Sequence, residues 1–246
     1  MISITKKMWR SLIAWGGLLA VLLVVGLLIW RGVLWFNMPS RRKYPVRGVD
    51  VSHYQGAVDW DVIASQGISF AFIKATEGSG SVDERFAENW ENARKSEIYA
   101  GAYHFFSFDS PADTQADNFC SVVPVAEDSL PPVVDLELYR TDDLPDVEAV
   151  RENLRILLDR LREKYGKTPI IYTTNTCWER YLRDSDLEYT LWIRSILKPP
   201  SSHYSPPWEF WQYNPRGILD GCDGDEQFID LNAFCGTGEE FLEKYG

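Results

Sequence analysis

Pro131-Pro132-Val133-Val134-Asp135-Leu136-Glu137-Leu138 is an apolar run that ends in two carboxylates two residues apart. Side chains alternate along a strand, so Asp135 and Glu137 point the same way, with Cα atoms roughly 6.5 Å apart. Two acids offered from one strand suit glycoside cleavage, in which one carboxyl protonates the leaving oxygen and a second charge steadies an oxocarbenium-like transition state. The alternative for such a pair is a strand end whose acids cap a helix or hold a surface lysine.

Outward from this stretch, strands and helices alternate. Toward the N-terminus lie strands at 47–52, 69–75 and 99–106, separated by helical patterns at 59–66, 83–96 and 111–122. Beyond the carboxylate strand, Val147, Val150, Leu154, Leu157, Leu158 and Leu161 recur at helical spacing until Gly166. Four more strands follow at 168–173, 189–193, 209–213 and 228–232, with little room for helices between them. The expectation is an α/β fold: an irregular (β/α) TIM-like barrel of eight strands with few helices in its second half. Pro199-Pro200 and Pro206-Pro207 bound a loop rather than a second domain.

In such barrels the chemistry gathers at the carboxyl ends of the strands. Asp50 closes the first strand, Asp135 and Glu137 the fourth, and Asp230 the last, which in a closed barrel lies beside the first. Four converging acids repel one another and raise at least one pKa, which keeps a carboxyl protonated for acid catalysis.

Charge is unevenly spread. Of the 25 Lys and Arg residues, eight lie in residues 1–47, which contain no acid; residues 48–246 hold 17 basic groups against all 36 acidic ones, a net of −19. A domain so acidic is repelled by nucleic acid and by anionic lipid. Leu12–Trp30 is an uncharged run of 19 residues, close to the ~20 that span a bilayer core. No Ala-x-Ala-like site follows it, so it reads as an uncleaved signal anchor rather than a cleaved signal peptide. The expected organisation is a short basic segment at 1–11, a transmembrane anchor at 12–36, a linker at 37–46 and one catalytic domain at 47–246. Positive residues flank both ends of the apolar run, so they do not orient it. Cys120, Cys177, Cys222 and Cys235 permit three pairings, and the sequence does not choose between a Cys222–Cys235 bridge and free thiols. None has C-x-x-C spacing, so no metal is expected.

At these residues the chain resembles the family 25 glycoside hydrolases, the Chalaropsis-type lysozymes or N-acetylmuramidases. The resemblance runs from about Arg47 to Phe234 through ordered blocks: Gly48-Val-Asp-Val-Ser-His-Tyr-Gln-Gly56 with Asp59-Trp60, Phe70-Ala-Phe-Ile-Lys-Ala-Thr-Glu-Gly78, Gly101-Ala-Tyr-His-Phe105, Val134-Asp-Leu-Glu137, Pro169-Ile-Ile-Tyr-Thr173, Leu191-Trp-Ile193, Phe210-Trp-Gln-Tyr213 and Asp230-Leu-Asn232. It implies cleavage of the β-1,4 bond between N-acetylmuramic acid and N-acetylglucosamine in peptidoglycan, without a cofactor. Glu137 matches the general acid, Asp135 the acid that assists it, and Asp50 and Asp230 the other two active-site aspartates. Tyr103, Tyr172, Trp192 and Trp211 fall where the family lines its groove, and Lys74 where it has a polar groove residue; for Lys74 a simple pair with Glu77 is the alternative. His53 and His104 receive no catalytic role. The chain departs from the common pattern at Trp192-Ile193-Arg194-Ser195.

The implied partners are peptidoglycan strands and, through the helix, a membrane, with the domain of a bacterial monomer facing the wall from the periplasmic or extracellular side, or secreted if the N-terminus is cleaved. Two other readings remain open from sequence: a non-catalytic peptidoglycan-binding scaffold, and a hydrolase of another N-acetylhexosamine polymer such as chitin.

Overall fold

The computed structural model describes residues 6–139 and 144–246. The chain divides into an N-terminal unit through Phe36 and a barrel unit from Asn37 to Gly246. The first contains α1 (Lys6–Trp30), within which Met8–Trp30 is long and apolar enough to cross a membrane. The helix stops at Trp30 rather than continuing to residue 36, and Gly32 follows it in the left-handed region at φ 72°.

The second unit is a closed barrel. Its strands are β1 (Arg47–Val51), β2 (Phe70–Glu77), β4 (Tyr99–Phe105), β5 (Val133–Leu136), β6 (Ile170–Thr174), β7 (Thr190–Arg194), β8 (Trp208–Gly217) and β9 (Ile229–Phe234), with a two-residue β3 (Ser81–Val82) hairpinned onto β2. The order β1-β9-β8-β7-β6-β5-β4-β2 is closed by pairing of β1 with β2. Helices α2 (Trp60–Ser65), α3 (Phe86–Lys95), α4 (Ala112–Val122) and α5 (Val147–Tyr165) pack outside the first half. The second half has only the short turn α6 (Asn175–Cys177), running into a π-helical turn at Trp178–Leu182, before a terminal α7 (Gly238–Tyr245). All four cysteines are free thiols.

One strand differs from the expected pattern. All barrel pairings are parallel except those of β9, which runs antiparallel to both β1 and β8. Asp230 therefore sits near the start of its strand, not its end. Reversal is what brings it to the working rim, where it pairs in register with Asp50.

Period-two alternation sorts the side chains into two cores. Val49, Val51, Ala71 and Ile73 face outward to meet Trp60, Trp90, Phe119, Leu154 and Leu158 from the helices and loops. Phe70, Phe72, Val133, Ile170, Tyr172, Trp192, Phe210 and Phe234 fill the interior, joined by Phe241 and Tyr245 of α7. Gly48 and Gly101 make room for this interior: a Cβ at Gly48 would lie 2.3 Å from the Phe70 ring, and one at Gly101 2.8 Å from Phe72.

Residues 37–46, expected as a linker, are held on the barrel. Asn37 is buried and donates to the Ser195 carbonyl at 2.8 Å, the Arg47 guanidinium donates to the Pro39 carbonyl at 2.5 Å, and Tyr44 packs edge-on to Trp211. Val46 belongs to the interior core.

Candidate active site

Above the aromatic filling, the next inward-facing position of almost every strand is polar. Asp50 of β1, Lys74 of β2, Tyr103 of β4, Asp135 of β5 with Glu137 just beyond it, Tyr172 of β6, Arg194 of β7, Gln212 of β8 and Asp230 of β9 line one cavity of about 660 Å³. Tyr54, Phe105, Arg216, Glu226 and Phe228 line it further out. All four expected acids therefore meet in one place.

Asp50 is the best-held of the four. It accepts from Asn232 Nδ2 at 2.7 Å and from Gln212 Nε2 at 3.1 and 3.3 Å. Burial raises its pKa, while the hydrogen bonds from Asn232, Gln212 and Asp230 oppose that rise by favouring the ionised form. Asp230 is raised well above the ordinary carboxylate range by burial and by the charge of Asp50, so in this pair Asp230 keeps the proton and donates it.

The β5 pair is differently placed. Asp135 is 8% exposed, and its Oδ1 has no hydrogen-bond partner. Burial, then the charges of Glu137 and Asp50, push its carboxyl well up. Glu137 is half-buried and is also raised, by burial and by Asp50 against the opposing pull of Arg194. The two acids thus retain a proton at a pH where an exposed carboxyl has lost its own. Tyr103 and Tyr172 are raised well above their usual range by burial and by these same acids, so their hydroxyls stay protonated.

Of the residues expected to contact substrate, Tyr103, Tyr172 and Lys74 line the cavity. Lys74 also pairs with Glu77 at 2.7 Å, so both readings of it apply. Trp192 and Trp211 do not reach the wall. Trp192 is 2% exposed, stacked on Phe72 at 4.3 Å beneath the acids. Trp211 is 1% exposed and faces outward between Tyr44 and Trp208, donating to the Ser195 carbonyl at 2.8 Å. The tryptophan motif marks strands; alternation decides which side of the wall each ring occupies.

Sequence reasoning missed Arg194, Gln212 and Asn232 as site residues. Each is a polar residue two positions along from a buried inward-facing aromatic or acid, and that parity was the signal available. The histidines are structural. His53 Nδ1 meets Asp83 at 2.7 Å. His104 is fully buried between Thr76 Oγ1 at 2.7 Å and Gln115 Oε1 at 3.0 Å, with its pKa lowered to about 4 by burial. Because Gln115 Nε2 donates to two carbonyls, its Oε1 is the acceptor, so His104 carries its proton on Nε2. Among the described residues, no group of three or more His, Cys, Asp or Glu is arranged to hold a metal ion.

Known proteins share this fold and much of this sequence. A Bacillus anthracis family 25 glycosyl hydrolase superposes with a TM-score of 0.79 at 46% identity, over 85% of this chain and 97% of that one. The Streptomyces coelicolor bacterial lysozyme does so at 0.72 and 30%, over 82% and 98%. Lysozyme M1 of Streptomyces globisporus is 35% identical over 211 residues, which is 80% of this chain and 70% of that protein. The model of the glycosyl hydrolases family 25 matches residues 49–222, from the strand that bears Asp50 to the loop before Asp230. With four acids meeting on the rim of a barrel whose last strand is reversed, and with these likenesses across its length, the chain is a glycoside hydrolase and belongs to family 25.

Proposed function

We propose that this protein cleaves the β-1,4 bond between N-acetylmuramic acid and N-acetylglucosamine in peptidoglycan, with Glu137 as general acid and Asp135 as the carboxylate that assists it. One observation carries the assignment: two carboxyls on one face of β5, both held above their usual range, stand with Asp50 and Asp230 in a single cavity large enough for sugar rings. Glu137 is the less buried of the two and so is placed to reach a glycosidic oxygen. Asp135 lies deeper, with one oxygen free for a substrate N–H such as that of an acetamido group. Departure of the protonated oxygen leaves an oxocarbenium-like centre, which the anionic Asp50 favours electrostatically; water then adds to that centre and gives its proton to the Glu137 carboxylate. Sugar faces would rest on Tyr103, Tyr172 and Phe105, and Tyr hydroxyls would hydrogen-bond sugar oxygens. The lysozyme relatives support peptidoglycan as the substrate.

We further propose that α1 anchors the protein in a membrane with the barrel on the wall side, and that residues 47–246 form its single catalytic barrel. The test is digestion of purified peptidoglycan by the full-length chain, with mass spectrometry of the fragments and Glu137→Gln as control. New reducing-end muramic acid that disappears in the control supports the reading. Intact glycan to which the protein still binds would favour a scaffold, and release of chitin oligomers alone would move the substrate to another polymer.

A further inference from the structure

Two amides turn their N–H ends toward Asp50 and so favour its ionised form, and one of those amides can be turned only one way. Asn232 Nδ2 donates to Asp50 at 2.7 Å, while its Oδ1 accepts from the indole Nε1 of Trp192 at 2.9 Å. An indole N–H donates and cannot accept, so the reversed amide would set Nδ2 against a second donor and its carbonyl against a carboxylate. Gln212 makes a parallel link, with Oε1 accepting from the Tyr172 hydroxyl at 2.9 Å. A hydroxyl can donate or accept, so that link alone does not dictate the orientation. The indole is the one-way element.

We propose that Trp192 is a positioning residue that acts through Asn232 to keep an amide N–H, and not a carbonyl oxygen, turned toward Asp50. Its effect on turnover rests on the proposed role of Asp50 in that site; its effect on Asp50 does not. Removing the indole N–H frees Asn232 to rotate, and each reversed amide replaces a favourable charge-assisted hydrogen bond with a repulsive one. The proton of Asp230 then moves toward Asp50, and the negative charge next to the reacting centre moves with it. Other groups facing Asp50 are Asp230 from β9, Arg194 from β7, Asp135 and Glu137 from β5, and Tyr103 from β4. Lys74 of β2 and Tyr172 of β6 share the same wall. Tyr172 also packs on the Trp192 ring at 4.4 Å and bonds Gln212, so the variant that combines Trp192→Phe with Asn232→Leu separates its effect on Asp50 from that of the Asn232 amide.

The test is Trp192→Phe, which keeps an aromatic ring against Phe72 and removes the donor. In the full-length chain labelled with 13C at aspartate carboxyls, Asp50 should titrate about one pH unit higher in the variant than in the wild type. Asp50 unmoved in a folded variant overturns the proposal, whatever the enzyme's activity. Should Trp192→Phe not fold, Asn232→Leu removes the amide N–H that the indole orients and should raise Asp50 at least as much; no rise there overturns the proposal as well. When both fold, adding Trp192→Phe to Asn232→Leu should shift Asp50 no further, and an added shift would show that Trp192 acts by another route. On peptidoglycan, Trp192→Phe should lower kcat about tenfold with little change in KM and move the acid limb of the pH profile upward. A wild type that is inactive on peptidoglycan would overturn the muramidase reading while leaving the Asp50 titration to decide this one.

Discussion

Asp135 on β5 and Glu137 just beyond its end show how burial depth separates groups of the same chemistry. Glu137→Gln keeps the shape of the side chain and loses the proton it would transfer, so activity should fall by about 100-fold or more while the protein stays folded. Retained activity in that variant would remove Glu137 from the mechanism. Asp135 carries a stability cost that runs with pH. Its folded pKa lies well above the 3.8 of an unfolded aspartate, so the unfolded chain gives up its proton first, and stability is lost as pH rises from about 4 through the folded pKa. Asp135→Asn should therefore raise the melting temperature at pH 7 and leave it nearly unchanged at pH 3.5. A gain of equal size at both pH values would point to packing instead.

Among the elements, α7 closes the end of the barrel opposite the acids. Its start carries a capping box, with Thr237 accepting from the Glu240 backbone and Glu240 reaching back to Thr237. Phe241 and Tyr245, one turn apart, enter the interior against Phe70, Phe210 and Phe234. Phe241→Ala should cost about 3–5 kcal/mol by chemical denaturation, because the rings around it are themselves packed and cannot collapse into the space. A loss below 1 kcal/mol would mean the helix is dispensable. This helix was not read from the sequence, although Thr-x-x-Glu before an i, i+4 aromatic pair is a start signal. The reversal of β9 was not legible. A strand pattern records which side chains alternate, and it is the same read in either direction.

At the scale of the whole molecule, the charge distribution separates a basic, acid-free N-terminus from a domain of net −19. If α1 anchors the chain, the full-length protein should enter the detergent phase on Triton X-114 partitioning and stay with membranes in high salt, because an acidic domain has no electrostatic hold on anionic lipid. Recovery in the aqueous phase at a mass lacking the first 30 or so residues would show the apolar segment to be a cleaved leader.

The sequence by itself determined the barrel, its eight strands, the four acids and the family, because these depend on periodicity and on residue types in fixed order. Only the tertiary structure decided the side of the wall on which each aromatic lies. Trp192 fills the barrel interior and Trp211 the outer core, and neither lines the cavity. It also decided that Asn232 and Gln212 converge on Asp50, since the first strand must close against the last two, 162 and 182 residues away in the chain, before these side chains meet. Alternation is local and can be read along one strand; convergence belongs to the closed sheet.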